Sequence, residues 1–119
     1  MAAPNIVNVS TIIGKTAIQS VTTTITAIVT NSAASNKVFK INSLMVSNID
    51  GANPADITVD LFRSSTSYKL TSTITVPADA TLVVISKENS IYLEEGDSIR
   101  CQASANGDLQ AICSYEEIS

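Results

Sequence analysis

Three features of this sequence predict an all-β chain folded as an antiparallel β-sandwich of about eight strands. Aromatic residues make up only 4% of it and Trp is absent, so the core must come from Ile, Val, Leu and Ala. The abundance of β-branched Ile, Val and Thr favours a pleated, half-buried surface over a helix. Apolar and polar residues alternate with a period of two through most of the length. Turn-forming clusters recur roughly every 8–15 residues, which leaves room for eight or nine strands and no helix, the spacing of jelly-roll or immunoglobulin-like sandwiches. At 119 residues the chain makes one domain with a two-layer core. Residues 1–9 are assigned to an N-terminal arm or first strand and 10–119 to the sandwich.

The elements follow in order. Residues 5–16 alternate weakly, with Ile6, Asn8 and Ser10 against Val7, Val9 and Thr11, and reach Ile12-Ile13 before Gly14-Lys15. A strand that ends in a turn there suits a sheet edge or a crossing between sheets. Residues 17–30 predict one long strand, with Val21, Thr23, Ile25, Ala27 and Val29 on the core face. Thr22, Thr24 and Thr26 would point to solvent or to a neighbouring subunit. Residues 31–37 are a small polar loop. In residues 38–48, Phe39, Ile41 and Met45 oppose Lys40 and Asn42, and a phase slip at Ser43-Leu44 calls for a bulge or bend. Asp50-Gly51-Ala52-Asn53-Pro54 is the strongest turn signal. Ile57, Val59 and Leu61 then alternate with Asp56, Thr58 and Asp60, and residues 64–67 turn the chain again. Tyr68, Leu70, Ser72, Ile74 and Val76 share one face of the next strand, which Pro77 stops. Leu82-Val83-Val84-Ile85 has the pattern of a strand buried on both faces.

Residues 91–115 carry the most regular pattern. After the charged turn Glu94-Glu95-Gly96-Asp97, the residues Ile99, Cys101, Ala103 and Ala105 alternate with polar ones. Beyond Asn106-Gly107-Asp108 the alternation resumes at Leu109, Ala111, Cys113 and Tyr115, with Ile112 out of phase. A hairpin with a three-residue loop pairs Ala105 with Leu109, Ala103 with Ala111, Cys101 with Cys113 and Ile99 with Tyr115. The two cysteines then have two readings, small buried thiols among alanines or a strained cross-strand disulfide.

Composition excludes several functions. Seven basic residues are spread singly and the net charge is −4, so nothing forms the basic stripe that nucleic acid requires. The longest apolar runs fall far short of the roughly 20 residues of a membrane-spanning helix. Met1-Ala2-Ala3-Pro4-Asn5 has no secretory pattern, and origin in the cytoplasm is expected. With no histidine, neither a usual four-ligand zinc site nor a nucleophile–histidine pair can form. Glu94 and Glu95, adjacent in sequence, point to opposite faces and suit a solvated turn better than acid–base work. The spacing of Asp50, Asp56 and Asp60 fits no calcium loop. Gly14-Lys15-Thr16 resembles the tail of a phosphate loop, but Val9 stands where its first glycine should. No cofactor and no enzymatic activity are expected. A carbohydrate-binding module would need exposed aromatics, for which Phe62 and Tyr92 are the candidates once Phe39, Tyr68 and Tyr115 are assigned to core faces.

The segments APNIVNVSTIIGKTA (residues 3–17), VPADATLVVISKENSIYLEEGDSI (76–99) and SYEEIS (114–119) resemble small β-rich virion structural proteins of tailed bacteriophages, of the marine cyanophage type. The resemblance implies a non-enzymatic virion component, made in the host bacterial cytoplasm. Its expected role is capsid decoration, cementing the outer surface of the major capsid lattice; the alternative is a tail, neck or fibre adaptor. Its partners would be the major capsid protein or other virion proteins and further copies of itself, with a trimer favoured, and neither nucleic acid nor membrane. Candidate subunit contacts are Ala3, Pro4, Asn5, Ile6 and Val7 of the arm and Thr22, Thr24 and Thr26 of the threonine face.

Overall fold

A computed structural model describes residues 9–119. Period-two alternation makes nine strands: β1 (Ile12–Val21), β2 (Thr26–Thr30), β3 (Val38–Asn48), β4 (Ala55–Arg63), β5 (Thr66–Val76), β6 (Thr81–Ile85), β7 (Ile91–Leu93), β8 (Ser98–Ala103) and β9 (Leu109–Ile118). A single 3-10 turn, Lys87–Asn89, precedes β7. The fold is all-β, as expected. The front sheet runs β1-β9-β3-β6, with β7 also on β3, and the back sheet runs β2-β8-β4-β5.

The pairings are nested. β4 and β5 form the innermost hairpin, β3 pairs β6 around it, β2 pairs β8 outside that, and β1 pairs β9 outermost, all antiparallel. One long ribbon of paired strands has thus been rolled into two facing sheets, which is the jelly-roll topology and decides between the two sandwiches the sequence allowed. Between the sheets lies an aliphatic core in which Val21, Ile41, Leu44, Val46, Ile57, Val59, Val76, Leu93 and Ile99 are fully enclosed. Phe39 and Tyr115 stack there with ring centroids 5.4 Å apart. Two buried amides hold the strand ends. Asn31 Nδ2 donates to the carbonyls of Lys37 and Leu93, and Asn48 Nδ2 to those of Asn53 and Val76.

Rolling the ribbon overturns the C-terminal hairpin. β8 lies in the back sheet between β2 and β4, and β9 in the front sheet between β1 and β3, so residues 104–108 arch from one sheet to the other. Ile99, Cys101, Ala103, Leu109, Ala111 and Cys113 do all face the core, but from opposite walls. Alternation specifies the buried face of a strand and is silent about which strand lies beside it. The two cysteines are free and buried; they are not cross-strand neighbours.

Other expectations change for related reasons. β1 passes straight through Gly14-Lys15 because β9 continues beside it, pairing Gly14 with Glu116 and Lys15 with Tyr115. The long strand over 17–30 is broken at Thr22–Ile25, where the chain crosses from front sheet to back. The bulge anticipated near Ser43-Leu44 is present: the β3–β9 register shifts between Ile41 and Ser43, and β3–β6 between Leu44 and Met45. It turns Leu44 and Val46 inward and Met45 outward. β6 is one-sided, with Val83 exposed. Tyr68, Leu70 and Ile74 are also exposed rather than buried; the β4–β5 register shifts between Ile57 and Val59 and again between Val59 and Asp60, so a strict period of two does not run through β5.

Candidate assembly interface

Polar chemistry in this molecule is turned inward on itself. On the outer face of the back sheet, Asp60 is completely enclosed and receives a forked pair of hydrogen bonds from Arg100, Nε to Oδ1 at 3.0 Å and a terminal guanidinium nitrogen to Oδ2 at 2.7 Å. Ser67 donates to the same carboxylate and Lys69 stands at 3.9 Å. Burial opposes the charge of Asp60, and the Arg100 and Ser67 hydrogen bonds more than offset it, holding the carboxyl below its usual range. The Arg100 guanidinium also lies 3.9 Å above the Phe62 ring, which closes that ring to a stacking ligand. At one end of the sandwich Arg63 forks onto Asp97, whose Oδ2 accepts from the Glu94 amide. Elsewhere Glu117 accepts from Lys37 and Lys15, and their hydrogen bonds lower its pKa.

The acidic residues considered as calcium ligands are used separately. Asp50 caps its own turn through the amides of Ala52 and Asn53, Asp56 accepts from Thr75, and Asp60 belongs to Arg100. Among the described residues no three His, Cys, Asp or Glu side chains come together as a metal site. Burial pushes both cysteine thiols up to about 12, so they stay protonated and unreactive at neutral pH.

Of the predicted contact residues, only the three threonines are among the described residues. Ala3, Pro4, Asn5, Ile6 and Val7 lie outside the described residues. Thr22 and Thr24 lie in the crossover between β1 and β2, and Thr26 begins β2; all three are exposed. Two of their hydroxyls serve the crossover itself, those of Thr22 and Thr26 donating to the Thr24 carbonyl. Ser10 and Thr11, which donate to the Ser119 carbonyl, are at the far end of β1, about 30 Å away at strand rise.

A different surface stands out on the outer face of the front sheet. Register places Ile18 beside Ile112, Ile112 beside Met45 and Met45 beside Val83. One row of large apolar side chains therefore crosses all four strands, with exposures of 78%, 39%, 36% and 54%. The row on one side is Thr16, Ser114 and Ser43; on the other it is Ser20, Gln110, Ser47 and Thr81. Neither flanking row carries a charge. An open depression of about 370 Å³ lies at the β1–β9 end, lined by Ile18, Gln19, Ser20, Gln110, Ala111 and Ile112. One row beyond the hydroxyls come Gly14, Glu116, Lys40 and Tyr92. The sequence held one signal for this surface: Ile112 is apolar in the phase that alternation reserves for polar residues.

No protein-family model matches the chain, and no curated protein sequence does. Two solved structures are similar in fold. One, from work on Bacillus endospore appendages described as a family of disulfide-linked pili, shares 16% identity over 92% of this chain and 88% of that chain, with a TM-score of 0.48. The other, the acid-stable capsid structure of Helicobacter pylori bacteriophage KHP30, shares 7% identity over 94% of this chain and 90% of that chain, with a TM-score of 0.49.

Proposed function

We propose that this chain is a non-enzymatic structural subunit of a tailed-phage virion, a decoration protein that binds the outer surface of the major capsid lattice. One observation carries the reading. Among the described residues eleven large hydrophobic side chains are exposed, in a chain of which only 15% is charged, while Asp60, Asp97 and Glu117 are tied up in internal ion pairs. Such a surface is suited to contact with protein, because apolar area gains by being covered and few charges must be stripped of water. The resemblance of residues 3–17, 76–99 and 114–119 to phage virion proteins supplies the setting. A jelly-roll by itself serves capsids and lectins alike.

In this reading the arm residues Ala3–Val7 extend onto a neighbouring subunit, and the crossover threonines Thr22, Thr24 and Thr26 form a second contact at the opposite end. The sugar-binding reading has little support, since Arg100 covers Phe62, leaving Tyr68 and Tyr92 as exposed but separate aromatics. Quantitative mass spectrometry of purified virions tests the proposal. A copy number at parity with the major capsid protein, or a simple fraction of it, is the expected result. A count fixed by a single vertex or tail would move the protein to the neck, tail or fibre, and absence from virions would overturn the reading.

A further inference from the structure

We infer that the outer face of the front sheet is a self-association surface, occupied by the same face of a second copy across a two-fold axis that runs along the strands between β9 and β3. The inference stands on the geometry of this face and does not depend on the virion reading. A two-fold contact must be self-complementary, and this axis meets that condition in three ways. It reverses the strand order, so that Ile18 of one copy meets Val83 of the other and Ile112 meets Met45, which covers the whole apolar row with itself. In the charged row it sets Glu116 of each copy against Lys40 of the other; among the described residues neither takes part in an ion pair within the chain. At the ends of that row it places Tyr92, 41% exposed, over Gly14, where a built Cβ would meet nothing within 4 Å.

The area is sufficient. Four strands at about 4.8 Å spacing and four rows at about 6.8 Å give a face of roughly 19 by 27 Å. Covering it on both copies removes on the order of 1,000 Å² of projected surface, the size at which specific interfaces begin. The back sheet offers no such match, because its outer face is occupied by the Asp60–Arg100–Phe62 group. Since the axis is parallel to the strands, both copies point their Thr22–Ile25 crossovers in the same direction, leaving one end of the pair free to engage a further partner together. A two-fold pair takes the place of the trimer favoured from the sequence.

Sedimentation equilibrium or light scattering on the purified full-length chain tests this, with circular dichroism melts on each variant to confirm folding. Wild type is expected at twice 12.5 kDa at concentrations on the order of 10 µM. Ile112→Asp should weaken association at least ~100-fold by placing a charge at the centre of the apolar row. Lys40→Glu and Glu116→Lys, each alone, should weaken it roughly tenfold or more, and the two together should restore it. The charge pair is the decisive reading, since both residues lie outside the core and either variant should fold even if Ile112→Asp does not. A wild-type monomer at these concentrations, or a dimer indifferent to Ile112→Asp and to both single charge reversals, would overturn the inference. So would a trimer. None of these results alters the copy number in virions, so the two proposals fail separately.

Discussion

Arg100→Met removes the guanidinium from the only fully enclosed carboxylate among the described residues and tests whether the back sheet depends on that pair. Without Arg100, Asp60 keeps the Ser67 hydroxyl and a Lys69 ammonium 3.9 Å away that is half exposed. Removing one partner of a buried pair costs about 3–5 kcal/mol, whereas a surface pair is worth about 0–1. Arg100 is itself 21% exposed, so the lower end applies, about 3 kcal/mol at neutral pH. For a chain of this length that corresponds to a Tm lowered by roughly 12 °C. The pH dependence follows from the direction of the shift. In the wild type the depressed carboxyl stabilises the fold above its unfolded value, about 4, and that contribution is lost as pH falls through the folded value. In the variant only Ser67 and Lys69 are left to oppose burial, so the carboxyl rises relative to the wild type, and the deficit is largest at neutral pH and narrows as Asp60 takes up a proton in acid. Adding Asp60→Leu should recover most of the loss, because a buried apolar side chain needs no partner. Thermal melts of the three proteins between neutral pH and about pH 4 provide the check. A Tm change of less than about 4 °C, or a deficit independent of pH, would refute the reasoning.

Three further predictions concern other parts of the fold. Cys101 and Cys113 should show no reaction with a thiol reagent in the native protein and two thiols per chain in guanidinium, and Cys101→Ala with Cys113→Ala should lower stability by about 1 kcal/mol per site, equally with and without reductant. A native disulfide would instead show as a loss confined to the unreduced sample. Ser64 and Ser65 both hold positive φ, 51° and 60°, in the two-residue β4–β5 turn; Ser64→Asn with Ser65→Gly should raise the Tm by about 4 °C, near 1 kcal/mol, as a sequence suited to that turn relieves the conformational cost. Glu117→Gln should destabilise more at pH 7 than in acid below the unfolded carboxyl value of about 4.3. Its carboxyl is depressed first by Lys37 and then by Lys15, so its contribution exists above the unfolded value and disappears as pH falls through the folded one. Urea titrations at the two pH values would measure it.

The two outer faces show how one alternating pattern yields different surfaces. On the back sheet the outward positions of β4, β5 and β8 place Asp60, Lys69 and Arg100 side by side, and the charges satisfy one another. On the front sheet the outward positions of β1, β9, β3 and β6 place four apolar side chains in line, and all four stay partly exposed. The first arrangement is complete in one copy. The second gains when another surface is laid on it.

Much of this was legible in the sequence because the period of side-chain direction is local. The all-β class, the turn at Asp50-Gly51-Ala52-Asn53-Pro54, the bulge in β3 and the inward set Ile99, Cys101, Ala103, Leu109, Ala111 and Cys113 each follow from residues a few positions apart. What alternation lacks is the identity of the neighbouring strand. Cys101 and Cys113 look like hairpin partners on a line, and only the nested rolling of the ribbon puts them on opposite walls. The same holds for Gly14, a turn residue by composition that is kept in a strand by β9 beside it, and for Tyr68, a core residue by phase that lies open on a strand whose pairing with β4 shifts register twice. Pairs such as Asp60 with Arg100, 40 residues apart, and the row Ile18, Ile112, Met45 and Val83, drawn from four separate strands, exist only once the register is set. The sequence by itself determined the all-β class and the inward faces of the regularly alternating strands, because side-chain direction follows from local periodicity wherever no bulge interrupts it. The tertiary structure alone decided which outward side chains become neighbours, because adjacency across strands depends on topology, and that adjacency makes the surface by which this protein would assemble.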